Sequence, residues 1–137
     1  MLNPDKYIRK YFSEALTADG LTVFDSRKGP NINDFYVLLS TQSKLLQQGN
    51  KCVNNYDSTI TIEIIQVLPK QGNSGSRVII NDAEEKAIDA YLNANIEGFS
   101  ITTKNYSSND IVTYGTNELI NRVILTINFK IYEYNTN

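Results

Sequence analysis

The chain has 137 residues, 41% of them apolar and 20% charged, with a net charge of −2. That length makes one domain with its own core, and the balance excludes both a disordered chain and a nucleic-acid-gripping face, which needs a basic excess. One cysteine and no histidine exclude an intrachain disulfide framework and remove the commonest general base, proton switch and metal ligand.

The opening stretch MLNPDKYIRKYF lacks the long apolar core of a signal peptide. No apolar run approaches the ~20 residues of a membrane span. The expectation is a chain made and folded in a reducing cytoplasm, with no membrane partner.

The first element is a helix. Asn3 can cap it, Pro4 suits its first turn, and Asp19-Gly20 ends it. Tyr7, Ile8, Tyr11, Phe12, Ala15 and Leu16 recur at helical spacing, with Lys6, Arg9, Lys10, Ser13 and Glu14 on the other side. The stripe reads as a helix lying on a sheet. A membrane-surface helix is the alternative, against which stand the mixed charges. Next, LTVFD (21–25) alternates, SRKGPN is a turn, and DFYVLLS (34–40) is nearly continuous apolar, as a central strand is. TQSKLLQQGNKCVNNYD (41–57) is polar and rich in Gln and Asn, and it reads as a long loop.

STITIEIIQVL (58–68) is a strand with Ile60, Ile62 and Ile64 on one face and Thr59, Thr61 and Glu63 on the other. PKQGNSGS breaks it. A second helix follows over 80–96, with capping-box spacing at Asn81 and Glu84 and a stripe of Ala83, Ala87, Ile88, Tyr91 and Ala94. Ile80 continues the stripe, so a start as early as Ser76 stays open. GFSITTK (98–104) alternates as a strand, and NYSSNDIVTYGTNE (105–118) reads as a second polar loop. The last strand, VILTINFKIYEY (123–134), points Val123, Leu125, Ile127, Phe129 and Ile131 one way. Its other row, with Arg122, Thr126, Asn128 and Lys130, suits solvent or a wet interface. The elements add up to a single α+β domain over 1–137: a mainly antiparallel sheet of four to five strands with two helices packed on one face.

The search for chemistry finds little. QGNSGS lacks the Lys-Ser/Thr of a phosphate loop and does not match GxGxxG. Asp82, Glu84 and Glu85 read as first-turn residues that complement the helix dipole, and Asp82 is spaced to pair with Lys86. No second cluster of ligands completes a metal site. Cys52 has no histidine to activate it. The nine tyrosines sit at core or interface types of position. The residues alone therefore point to no catalytic set, no metal and no cofactor.

The order of elements carries more. A helix DKYIRKYFSEAL leads to a short strand LTVF, and an apolar strand DFYVLLST precedes a polar excursion. STITIEIIQV then feeds a Gly/Ser turn and the helix AEEKAIDAYL, and the close is a strand, a loop and the long strand NRVILTINFKI. This order resembles the tail-terminator and tail-completion proteins of bacteriophages, with their relatives at the head–tail junction. The resemblance spans nearly the whole chain and is one of pattern, since the family has no invariant catalytic motif. It implies a structural virion protein, not an enzyme, whose copies close into a ring around the DNA channel through sheet edges and long loops. The implied partners are copies of the same chain, neighbouring connector, neck or tail proteins, and DNA that passes without sequence-specific binding. The implied location is the virion, after synthesis in the bacterial host cytoplasm. A mildly acidic ring wall suits DNA that must slide, and head-to-tail contacts close a ring when the rotation per subunit is right.

Two other classes stay open: a small ligand-binding or enzymatic α+β domain with a pocket between sheet and helices, and a monomeric adaptor that binds protein through tyrosine-rich loops. On the ring reading, the candidate interface residues are the apolar ones in the two long polar segments: Leu45, Leu46, Val53 and Tyr56 in the first, and Tyr106, Ile111 and Tyr114 in the second.

Overall fold

A computed structural model of the chain describes residues 3–25, 34–47, 53–69, 77–115 and 118–134. The expected turns at 26–31 and 70–76 lie outside the described residues, as does Cys52.

Helix α1 (Pro4–Ala18) starts as its sequence dictates. The Asn3 side chain accepts the Asp5 N–H at 3.2 Å, and Pro4 occupies the first turn, where no N–H is needed. Gly20, at φ +89°, takes the left-handed conformation that turns the chain after the helix. The buried row is Ile8, Phe12 and Leu16, flanked by partly buried Tyr7 and Tyr11.

Five strands form one sheet in the order β1-β2-β3-β5-β4: β1 (Val23–Asp25), β2 (Phe35–Leu46), β3 (Val53–Pro69), β4 (Phe99–Tyr114) and β5 (Glu118–Tyr134). All pairings are antiparallel except β1 with β2, which is parallel. The centre is β3 against β5, in unbroken register from Val53↔Tyr134 to Pro69↔Glu118. Their inner rows, Ile60, Ile62, Ile64 and Val123, Leu125, Ile127, Phe129, Ile131, are all at most 1% exposed. They pack with α1 and with helix α2 (Val78–Leu92) in a single core, so both helices cover one face, and among the described residues the other face carries no helix.

Three expectations are corrected. Segments 41–57 and 105–118 are not long loops. Residues 41–46 extend β2, 53–57 begin β3, and 105–114 continue β4, so the described parts of both segments are mostly paired strand. Strands of 17 residues run about 55 Å, whereas a 15-residue helix covers about 22 Å. The outer strands therefore extend past the helices, where neither side-chain row is buried and no apolar alternation marks them. The second correction concerns α2. It starts at Val78 behind Arg77, with no side-chain cap, and Asn81 is already inside it, donating its N–H to the Arg77 carbonyl. Asp82, Glu84 and Glu85 thus follow the first turn. Burial of Ile80, Ala83, Ala87 and Tyr91 at spacings of three and four sets this start, overriding the poor helix propensity of the Val-Ile-Ile run. Third, α2 ends at Leu92 rather than at Ile96.

Each outer strand carries a bulge, and each bulge is filled by one helix side chain. In β2 the register shifts between Leu39 and Gln42. There the Arg9 guanidinium donates to the carbonyls of Leu39 (3.1 Å) and Ser40 (2.7 Å) and pairs with Asp25 at 2.9 Å. In β4 the shift falls at Lys104. The Tyr91 hydroxyl accepts the Lys104 N–H at 3.0 Å and donates to the Asn128 carbonyl at 2.7 Å. A bulge strands backbone groups that the ladder would otherwise pair, and both side chains supply the missing partner.

Phe129→Ala and Ile62→Ala should each cost about 2–5 kcal/mol in urea unfolding, while Lys130→Ala on the helix-free face should stay within about 0.5 kcal/mol. Equal costs at Phe129 and Lys130 would refute the assigned faces. Tyr91→Phe should cost about 1–3 kcal/mol by orphaning the Lys104 N–H, and a neutral result would show that the bulge has another partner.

Candidate functional site

The seven candidate interface residues are brought to three different places. Leu45 and Leu46 lie at the far end of β2 and are exposed. Val53 opens β3 opposite Tyr134, and its side chain lies outside the described residues. Tyr56 is only 2% exposed. It is on a central strand, opposite Leu46 and Ile131, and is packed away within the subunit, so the folded chain does not offer it as a surface anchor. Tyr106, Ile111 and Tyr114 all lie on β4, exposed by 45%, 39% and 75%.

β4 is therefore the site that the structure assembles. It is the edge strand of the sheet and is exposed from Thr102 to Tyr114. Val112, 42% exposed, belongs with the other three. Sequence pattern missed it because Ile111-Val112 does not alternate with polar neighbours. Val78 and Ile79 at the start of α2 are exposed as well, and the Arg77–Asp110 ion pair at 2.7 Å ties that helix end to β4. Lys104 pairs with Asp57 at 3.4 Å, and the Ser108 hydroxyl donates to the Glu84 carboxylate. These partly exposed pairs contribute little stability and mainly fix the lie of the strand. On the helix-free face, Thr59, Asn128 and Asn105 form a side-chain ladder across β3, β5 and β4.

The two margins of the sheet differ. As far as Lys44 the β2 margin is covered by β1 and by the first turns of α1, and Leu45 and Leu46 lie beyond that cover: Arg9 holds the bulge, Gln42 donates to the Asp5 carbonyl, and Lys44 pairs with Asp5 at 3.1 Å. Among the described residues nothing pairs with the outer side of β4.

The expected Asp82–Lys86 pair forms at 3.1 Å. Among the described residues no three His, Cys, Asp or Glu side chains lie close enough to hold a metal, and no helix is long and apolar enough to cross a membrane. An open groove of about 410 Å³ lies between α1 and the segment after α2, lined by Tyr7, Lys10, Tyr11, Glu14 and Ile96. The Tyr11 hydroxyl is already committed to the Ala90 carbonyl at 2.6 Å, and the groove contains no nucleophile–base pair. No family model matches the chain, and no curated protein matches it significantly.

Burial is the main force that raises the phenols of Tyr11, Tyr36, Tyr56 and Tyr91 above the usual 10.0. Asp19 adds to it at Tyr11 and Glu133 at Tyr56. At Tyr36 Arg122 opposes the rise and Glu63 adds to it, and at Tyr91 the Lys104 N–H opposes it. The folded state thus holds protons that the unfolded chain releases above about pH 10. This stability should be complete below that pH and be lost as pH rises through the folded values. Phenolate absorbance should show the three buried phenols, Tyr36, Tyr56 and Tyr91, ionising only as tertiary structure is lost. Reversible titration of all nine tyrosines before unfolding would refute the assigned burial.

Proposed function

We propose that the chain is a structural subunit that assembles with its own copies into a ring at a phage head–tail junction or tail end, completing or joining the tail around the DNA channel. The observation that carries this reading is the placement of exposed apolar side chains at two opposite margins of one sheet. Leu45 and Leu46 stand on the β2 side, and Tyr106, Ile111, Val112 and Tyr114 stand on the β4 side. Contact between unlike margins is head-to-tail, and head-to-tail contacts close a ring when the rotation per copy divides a full turn. The continuous β3–β5 ladder between the margins is a stiff spacer that keeps that rotation constant. A net charge of −2 adds no grip on phosphates, as a channel wall requires. The order of elements supports the same reading.

The test is a double variant, Leu45→Asp with Tyr114→Asp. Both residues are exposed, so the chain should fold with a stability change of about 0.5 kcal/mol or less. Quantitative mass spectrometry of purified phage particles should find several copies of the unaltered chain per particle and none of the variant. Particles that contain the variant at the normal level, or that never contain the chain, would refute the proposal.

A further inference from the structure

The outer margin of β4 has a regular backbone pattern. The Gly115 N–H donates to the Glu118 carbonyl at 2.8 Å, which makes these two a hydrogen-bonded pair. In an antiparallel ladder such pairs alternate with non-bonded ones. Along the register from Tyr114↔Leu119 to Tyr106↔Ile127, the odd-numbered residues therefore direct their N–H and C=O groups toward β5. Tyr106, Ser108, Asp110, Val112 and Tyr114 direct theirs outward. The same five side chains lie on the helix-bearing face, opposite the inner row of β5. Helix α2 packs over β3 and β5 and reaches β4 through Arg77, Glu84 and Tyr91 on the helix-bearing face, not through the outward backbone groups.

We propose that in the free chain this margin pairs with the same margin of a second copy, antiparallel about a two-fold axis at Asn109. Symmetry, the bulge and charge select this occupant and register. A two-fold axis perpendicular to the sheet keeps the helix-bearing faces on one side, so each residue must meet one whose side chain points the same way. The axis then passes through a residue and its own copy. The bulge at Lys104, whose N–H is taken by Tyr91, limits regular pairing to residues 105–114. An axis at Asp110 would oppose two carboxylates, and one at Ser108 would set Val112 against the bulge. An axis at Asn109 sets Tyr106 against Val112, Ser108 against Asp110, Ser107 against Ile111 and Asn109 against its copy, with no like charges facing. Tyr106 and Val112, both exposed in the single chain, cover one another on each side of the axis. The outward groups of residues 106, 108, 110 and 112 then exchange about eight backbone hydrogen bonds. The contact is isologous, so it does not rest on the ring reading, and a ring would have to exchange it for a head-to-tail contact.

The test uses the full chain carrying Cys52→Ser. Sedimentation velocity over a concentration series should show a reversible monomer–dimer equilibrium. Asn109 and its copy form a non-bonded pair with Cα atoms about 4.5 Å apart, so Asn109→Cys should form a disulfide-linked dimer on mild oxidation. Ser107→Cys and Ile111→Cys should not link to themselves, being offset from their own copies by about 13 Å, but should link when mixed. Ser108→Pro removes an outward N–H without touching the β4–β5 ladder, and should abolish the dimer while leaving the circular dichroism spectrum unchanged. A monomer at every concentration, self-linking of Ser107→Cys as fast as Asn109→Cys, or a dimer that survives Ser108→Pro would each overturn the proposal. If the proline variant fails to fold, the cysteine pattern still decides.

Discussion

Everything in this fold hangs on one antiparallel ladder. β3 and β5 pair over their whole lengths without a slip, from Val53↔Tyr134 to Pro69↔Glu118. Side chains alternate with period two, so a one-residue slip of β3 along β5 would turn Ile60, Ile62 and Ile64 out of the core while their β5 partners stayed in it. The ladder thus defines the core face, and the helices need only supply rows that fit it: Ile8, Phe12 and Leu16 from α1, and Ile80, Ala83, Ala87 and Tyr91 from α2.

The ladder is more than twice the length of either helix, and this mismatch shapes the rest. Where the helices stop, the outer strands run on without burying side chains. At Ser40-Thr41 and at Lys104 the outer strands part from the regular register, and a helix side chain closes each gap. Arg9 suits its bulge because its fork of donors reaches two adjacent carbonyls. Tyr91 suits the other because one hydroxyl both accepts and donates, while its ring packs on Phe129 and Tyr106. The two residues thus tie each helix to the outer strand on its own side of the sheet.

The two margins consequently differ in character. α1 and β1 occupy the β2 side, whereas α2 meets β4 through Arg77, Glu84 and Tyr91 on the helix-bearing face, and among the described residues the outward row of β4 backbone groups stays uncovered. Natural sheets blunt such edges with proline, charge or a covering element, because an open edge templates further pairing. Between Asn105 and Tyr114 there is no proline, and the single charge, Asp110, is turned aside by Arg77. An edge kept open in this way can template further pairing.

The sequence by itself determined the α+β class, the capped first helix, the alternating cores of β3 and β5 and the core row of α2, because in each the burial of one face leaves a period of 2 or 3.6 in the residue types. It could not reveal that residues 41–46, 53–57 and 105–114 are strand. In 41–46 and 105–114 almost every side chain is exposed whichever face it lies on, and what holds these stretches extended is backbone pairing, which leaves no pattern in residue type. The same reason hid Tyr56, whose polar neighbours Asn54, Asn55 and Asp57 read as loop although the ladder carries it inside. Arg9 and Tyr91 read only as members of a helix. Which bulges they fill is decided by how far the strands outrun the helices, and that is settled only when the layers are packed together.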